Sequence, residues 1–169
     1  DTYAPPAEQR QAVARVAREA LPGAATEARD VAQFLGVLCG IAMPDSEALR
    51  AAQDDPQLMA DRLRLAIGDW LAGLCAQGPV LLVLEDLHWA DPASLRLAHD
   101  LLDRLADAPL CVIATARPNE ASAIPHAGRS GGTRVALAGL SRQHGAELAE
   151  AIAGRPLPEQ VVSAILRAT

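Results

Sequence analysis

Two acids stand side by side in this sequence: Glu85 and Asp86 follow directly on Val80-Leu81-Leu82-Val83-Leu84, five apolar residues in a row. Charge is rarely set against such a run without a task. In open parallel sheets, ligands bind just beyond the carboxyl ends of the strands. Paired acids at that place suit nucleotide hydrolysis, where one holds Mg2+, usually through water, and the other orients and polarises an attacking water. The same pair could equally end a strand at the solvent edge, and the two residues alone do not decide between these readings. His88 lies near both acids and could serve as a metal ligand or a proton carrier. Its HxxD spacing to Asp91 feeds a helix and makes a poor metal signature, so a structural role is the expectation for His88. Trp89 is expected to pack the turn onto the sheet, and Asp91 to cap the helix after it. His99, His126 and His144 have no partner pattern, and Asp54-Asp55 reads as a solvated loop and helix cap.

The elements that must position these acids emerge from hydrophobic spacing. Residues 5–21 open on Pro5-Pro6 and carry Val13, Val16, Ala17, Ala20 and Leu21 at helical intervals, ended by Pro22-Gly23. Residues 28–41 hold a second stripe of Val31, Phe34, Leu35 and Leu38. A loop at 43–46, a short helix at about 46–52 and a break at Asp54-Asp55-Pro56 come next, with either aspartate able to cap the next helix. The helix at about 56–76 is the clearest amphipathic segment, with Met59, Leu63, Ile67, Trp70, Leu71 and Leu74 on one face. After Gly78-Pro79, residues 80–84 read as a strand buried on both faces, as in a parallel sheet. A helix at 92–106, with a core face of Leu95, Ala98, Leu102 and Leu105, leads to a second buried strand at 110–115. Residues 80–115 thus form a strand–helix–strand unit, expected to be a right-handed crossover. Residues 118–132 read as a surface loop, 133–137 as a short third strand, 142–153 as a helix stopped by Gly154, and the segment from Pro158 onward as a last helix.

Composition narrows the function classes. Half of the 169 residues are hydrophobic, mostly Ala, Leu and Val, with Tyr3, Phe34, Trp70 and Trp89 as the aromatics, which favours helices on a buried sheet over a β-sandwich. The net charge is −6 and no basic stripe is interleaved with aromatics, which argues against a nucleic-acid surface. An anionic nucleotide can still bind, because local backbone N–H groups and a metal outweigh net charge at such a site. Cys39, Cys75 and Cys111 are widely spaced, with no zinc or disulfide pattern, and are expected to be buried reduced thiols. No apolar run reaches the ~18 residues needed to span a membrane, and a cytoplasmic setting is expected. GxGxxG does not occur, and the one GxSxG string, Gly128-Arg129-Ser130-Gly131-Gly132, lies in the stretch read as a surface loop and not between a strand and a helix, which leaves an unrelated doubly wound enzyme without its usual marks.

The run VLLVLEDLHWADPASLRLAHDLL, joined one helix later to LCVIATARP, resembles the Walker B and sensor 1 segments of the STAND class of P-loop ATPases. The resemblance is strongest to modules of large bacterial regulators fused to Ser/Thr protein kinases, nucleotide cyclases or LuxR-type DNA-binding domains. It implies an α/β fold, a three-layer P-loop NTPase core with a parallel sheet over 1–140, followed by the start of a small helical lid domain over 141–169. It places Glu85 at the Mg2+-associated position, where Glu stands in place of the usual Asp, and Asp86 at the water-activating position. The resemblance implies that both acids belong to the Mg2+ site, through water. Arg117 matches the sensor that contacts the terminal phosphate, a role suited to a planar, permanently charged guanidinium. Thr115 beside it is a candidate minor nucleotide contact, or simply the strand end.

The implied cofactors are ATP and Mg2+, and the implied role is a slow ATPase switch for fused effector or sensor domains, with scope for nucleotide-dependent self-association and no membrane or direct nucleic-acid contact. A complete site also needs GxxxxGK[ST], whose backbone cradles phosphates and whose Lys reaches the terminal ones. These residues contain no lysine at all. The resemblance puts that loop just before Asp1, so the chain is expected to be a fragment that binds ATP poorly alone. The competing expectation is a non-catalytic interaction scaffold derived from the same fold.

Overall fold

The computed structural model describes residues 4–117 and 132–168, without the side chains of Arg167 and Ala168. The chain divides into two units, Asp1–Thr133 and Arg134–Thr169. The first unit runs α1 (Pro6–Ala20), α2 (Ala25–Leu38), α3 (Glu47–Gln53), α4 (Pro56–Cys75), β1 (Val80–Leu84), a 3-10 turn (Leu87–Trp89), α5 (Pro92–Arg104) and β2 (Leu110–Ala114). The second holds α6 (Arg142–Ala153) and α7 (Glu159–Ala168).

Helix boundaries reflect local chemistry. Proline occupies the first turn of α1, α4 and α5, where a missing N–H leaves no bond unmade. Asp55, of the two candidate aspartates, caps α4 by accepting from the N–H groups of Gln57 and Leu58 at 2.9 and 3.2 Å. Ser46 caps α3 through the N–H of Leu49 at 3.1 Å. The same hydroxyl donates to the buried Gln33 amide oxygen at 2.7 Å, and the Gln33 amide nitrogen donates to the Pro44 carbonyl at 2.8 Å. A polar side chain inside α2 is thereby satisfied, and the loop before α3 is pinned to the core.

Ala17, Val31, Ala32, Phe34, Leu35, Leu49, Ala52 and Ala66 form the main core, where α1 to α4 meet. Trp70 packs against this core and against a smaller cluster of Leu71, Leu101 and Leu105, which α5 and Leu110 of β2 help to close. Gly73 allows α4 to lie against the end of α1: a Cβ there would run into the Ala20 carbonyl and come within 2.8 Å of Leu21 Cδ2. The Gln77 amide then bridges the two helix ends, donating to the carbonyls of Glu19, Ala20 and Gly73 at 2.8, 3.1 and 3.2 Å.

β1 and β2 pair in parallel, from Val80 opposite Leu110 to Leu84 opposite Ala114. The result is a mixed helix–strand domain with a small parallel sheet. The sheet departs from the sequence expectation in one respect. Val80, Leu82 and Leu84 are half-buried, but Leu81 is 59% exposed, and Val83 and Ile113 are also exposed. Alternate strand residues face opposite sides, and only one side is covered among the described residues. Three other expectations also fail. Leu38 is exposed rather than part of the α2 stripe, because α2 ends there. Of the face expected on α5, Leu105 at its C-terminal end is buried, but Leu101 with Leu97 beside it takes the place of Leu95, Ala98 and Leu102, which are half-buried. Residues 133–137 form no strand: they have no ladder partner among the described residues, and Val135 and Leu137 are exposed.

Of the cysteines, only Cys75 is buried; Cys111 sits on the open sheet side and Cys39 just past the end of α2, so two of the three lie exposed. The expected surface loop of 118–132, with His126, Gly128 and Gly131, falls outside the described residues except at Gly132. In the second unit, Ser141 caps α6 and Gly154 ends it in the left-handed region at φ 65°. Arg142 ties α6 to α7 through Ser163 Oγ at 2.8 Å and Glu159 at 3.3 Å.

Candidate functional site

The acidic pair sits where β1 leaves the sheet. Leu84 is the last strand residue, and Glu85 and Asp86 form the turn that feeds the 3-10 segment. Both are exposed, the Asp86 side chain at 75%. Asp86 has φ 51° and ψ 40°, the single non-glycine residue with positive φ among those described. Aspartate tolerates this left-handed region better than most residues, because its short side chain bonds locally.

Thr115 holds the turn in place. In-register pairing of Leu84 with Ala114 carries Thr115 alongside the turn. Its N–H donates to the Leu84 carbonyl at 2.9 Å, and its own carbonyl accepts from the Leu87 N–H at 2.8 Å. Its hydroxyl oxygen accepts from the Asp86 N–H at 3.1 Å. The Trp89 N–H then closes the 3-10 turn on the Asp86 carbonyl at 2.9 Å. Neither sequence spacing nor composition reveals the hydroxyl bond, since it exists only once the two strands pair in this register.

The turn passes straight into α5 through Asp91. One carboxylate oxygen accepts from the N–H groups of Ala93 and Ser94 at 2.8 and 3.0 Å, and the other accepts from the Ser94 hydroxyl at 2.8 Å. The Ser94 N–H, then the Ser94 hydroxyl and the Ala93 N–H, hold the Asp91 carboxyl below its ordinary pKa. Asp91 is a cap, as its position before Pro92 predicts.

His88 and Trp89 behave differently from each other. The His88 side chain is only 2% exposed, its Nδ1 lies 3.9 Å from Asp86 Oδ1, and neither ring nitrogen has a hydrogen-bond partner. That separation is too long for a hydrogen bond. Trp89 is 76% exposed and touches the His88 ring at a centroid distance of 5.2 Å, so it does not pack the turn onto the sheet. A three-residue 3-10 turn is too short to bury both rings, and the histidine takes the inner place. Arg117 is exposed two residues beyond Thr115, and among the described residues no ion pair joins it to Glu85 or Asp86.

Among the described residues no group of three or more His, Cys, Asp or Glu side chains could hold a metal. A protein-only metal cage is therefore not what this turn offers. Two exposed carboxylates suit a Mg2+ ion that keeps most of its waters and takes its other ligands from phosphate. The donor set fits the second case.

The chain belongs to the AAA ATPase domain family, whose model matches residues 3–113. It is thus an ATPase-related, P-loop NTPase-type module, a family that uses nucleotide. Glu85 and Asp86 lie inside the matched span, and Thr115 and Arg117 lie just past its end. An uncharacterized protein of Rhizobium meliloti (strain 1021) is 32% identical over 71 residues, covering 42% of this chain and 7% of that protein. The chain thus spans a small part of its relative's length. No solved structure matches it. No described helix is long and apolar enough to cross a membrane.

Proposed function

We propose that this chain is part of an ATP-binding and ATP-hydrolysing switch module, of the STAND type, in a multidomain signalling protein. The observation that supports this most is the exposed Glu85-Asp86 turn at the carboxyl end of a parallel strand, within the span matched by the AAA ATPase family. In this reading Asp86 orients and polarises the attacking water, and Glu85 helps to hold Mg2+ through water. Arg117 pairs with the terminal phosphate, for which its exposure leaves it accessible. Bound Mg2+ would neutralise charge on the phosphate oxygens. The phosphates themselves are gripped by a lysine-bearing loop outside these 169 residues, which contain no lysine.

The same proposal extends to architecture. The two-stranded sheet belongs to a larger three-layer core, and the exposed Leu81, Val83 and Ile113 are the side that further elements cover. The segment 141–169 begins a helical lid. Nucleotide state clamps or releases that lid and so switches a fused kinase, cyclase or DNA-binding effector, in a cytoplasmic setting and with nucleotide-dependent self-association. The same exposed apolar sheet side favours a second reading, a non-catalytic interaction domain of this fold.

Nucleotide turnover by the full-length gene product, compared with Asp86→Asn, separates the two. The switch reading expects ATP hydrolysis that falls by about two orders of magnitude or more in the variant, with ATP binding retained. Hydrolysis unchanged by Asp86→Asn removes the role given to Asp86, and no nucleotide binding at all favours the interaction domain.

A further inference from the structure

We infer that Thr115 is a positioning residue: its hydroxyl fixes the backbone of Asp86, and so the direction of the Asp86 carboxylate, instead of touching nucleotide. The functional half of this inference rests on the role proposed for Asp86; the structural half does not. Three bonds from one residue bracket the acidic turn. The Thr115 N–H carries the ladder one step past β2 to the Leu84 carbonyl, and the Thr115 carbonyl takes the Leu87 N–H. Between them lies the Asp86 N–H, which leaves the ladder and is taken by Thr115 Oγ1 at 3.1 Å.

Asp86 is also the one described non-glycine residue with positive φ. Aspartate tolerates that region better than most L-residues but still at an energetic cost, so bonds to its backbone help to keep it there. The two neighbouring Thr115 bonds grip Leu84 and Leu87; the hydroxyl holds the N–H side of Asp86, while the Trp89 N–H holds its carbonyl at 2.9 Å. Threonine is suited to this task, because β-branching restricts χ1 and makes Oγ1 a stiff acceptor. The backbone sets where the Cα–Cβ bond of Asp86 points, so a loosened backbone swings the acid even when its side-chain rotamer is unchanged. The anchor also lies two residues from Arg117, so the guanidinium and the acid are referred to the same strand end.

The test uses Thr115→Val, which keeps shape and both backbone bonds but removes the acceptor, and Thr115→Ser, which restores the oxygen. Amide hydrogen exchange is read by NMR on the 169-residue chain without nucleotide. Thr115→Val is expected to speed exchange of the Asp86 amide about fivefold. The Leu87 amide, whose acceptor is the Thr115 backbone carbonyl, is the internal control and stays within about twofold. Thr115→Ser brings Asp86 back toward the parent rate. Equal Asp86 exchange in the parent and in Thr115→Val overturns the inference.

The second readout is steady-state hydrolysis by the full-length gene product. There Thr115→Val should lower kcat about tenfold or more with KM for ATP within about twofold, and Thr115→Ser should recover most of the loss. A raised KM with kcat preserved means that the hydroxyl contacts nucleotide, and that also overturns the inference. If the parent hydrolyses no ATP, the proposed function fails, while the exchange measurement still decides whether Thr115 holds Asp86.

Discussion

The four-helix half of the first unit and its two-stranded half solve different problems. In α1 to α4, apolar side chains meet on a closed interior: Ala17, Val31, Phe34, Leu49 and Ala66 are all buried, and the one buried polar residue, Gln33, has its amide satisfied. The sheet half covers one side only and leaves Leu81, Val83 and Ile113 in the open, yet it carries the acids. Stability is concentrated where the chain is helical and local, whereas the candidate chemistry stands at the edge of the less enclosed part. Such a division leaves the acids themselves exposed and held by a few directed bonds to Thr115, with the His88 ring of the same turn tucked inward.

Paired truncations test that division most strongly. Phe34→Ala should destabilise the 169-residue chain by about 3–5 kcal/mol, since a buried ring leaves a cavity that the surrounding helices cannot fill. Val83→Ala, on the open sheet side, should change stability by no more than about 0.5 kcal/mol. Urea denaturation of the two variants measures both. Equal losses would mean that the sheet face is covered as well as the helical core is.

Gly73 probes the helical half from the opposite direction, by adding an atom. Its Cβ would meet the Ala20 carbonyl, a backbone group that cannot rotate away, and Leu21 Cδ2 at 2.8 Å. Alanine is normally the better helix former by about 1 kcal/mol. Here Gly73→Ala should reverse that sign and destabilise by about 1–3 kcal/mol, as overpacking does. The same denaturation experiment reads it. A stabilised variant would show that α1 and α4 separate at little cost.

Much of this architecture is legible in the sequence. Both strands of the sheet and the helices other than α2, which starts and ends three residues earlier than expected, fall close to where apolar periodicity and the Pro and Gly punctuation put them, because those signals are local: Pro56 after Asp55, Pro92 after Asp91, Gly154 after Ala153. The acidic turn is legible too, as charge set against an apolar run. Whatever depends on partners distant in sequence is not. A continuous apolar strand predicts burial on both sides, but burial needs a second layer, and the exposed Leu81 and Val83 have none among the described residues. Periodicity finds Leu105 but picks Leu102 over Leu101, since both are apolar and only packing against Leu71 chooses between them. Thr115 reads by sequence as a strand end or a minor ligand contact. Its hydroxyl bond to Asp86, 29 positions earlier, depends on the strand register, which no local pattern encodes.

The smallest expected effect concerns the junction between the acidic turn and α5. Asp91 is exposed, and its carboxyl is held below the ordinary aspartate pKa chiefly by the Ser94 N–H, then by the Ser94 hydroxyl and the Ala93 N–H. A carboxylate lowered in the folded state adds stability that is complete above its unfolded-state pKa. That stability is lost as the pH falls through the lowered folded-state value. Asp91→Ala should therefore lower the melting temperature modestly at neutral pH, and the gap to the parent should close on acidification through the carboxylate range. Asp91→Asn keeps an uncharged acceptor at the cap, so it should lie nearer the parent at neutral pH and show less of that pH dependence. Because the cap also anchors the end of the turn, the Ala93 and Ser94 amides should exchange faster in Asp91→Ala. The Asp86 amide, held separately by Thr115, should change little. If Asp86 loosens as much as Ser94 does, the turn and the helix start form one cooperative unit, and the acids owe their placement to α5 as much as to β2.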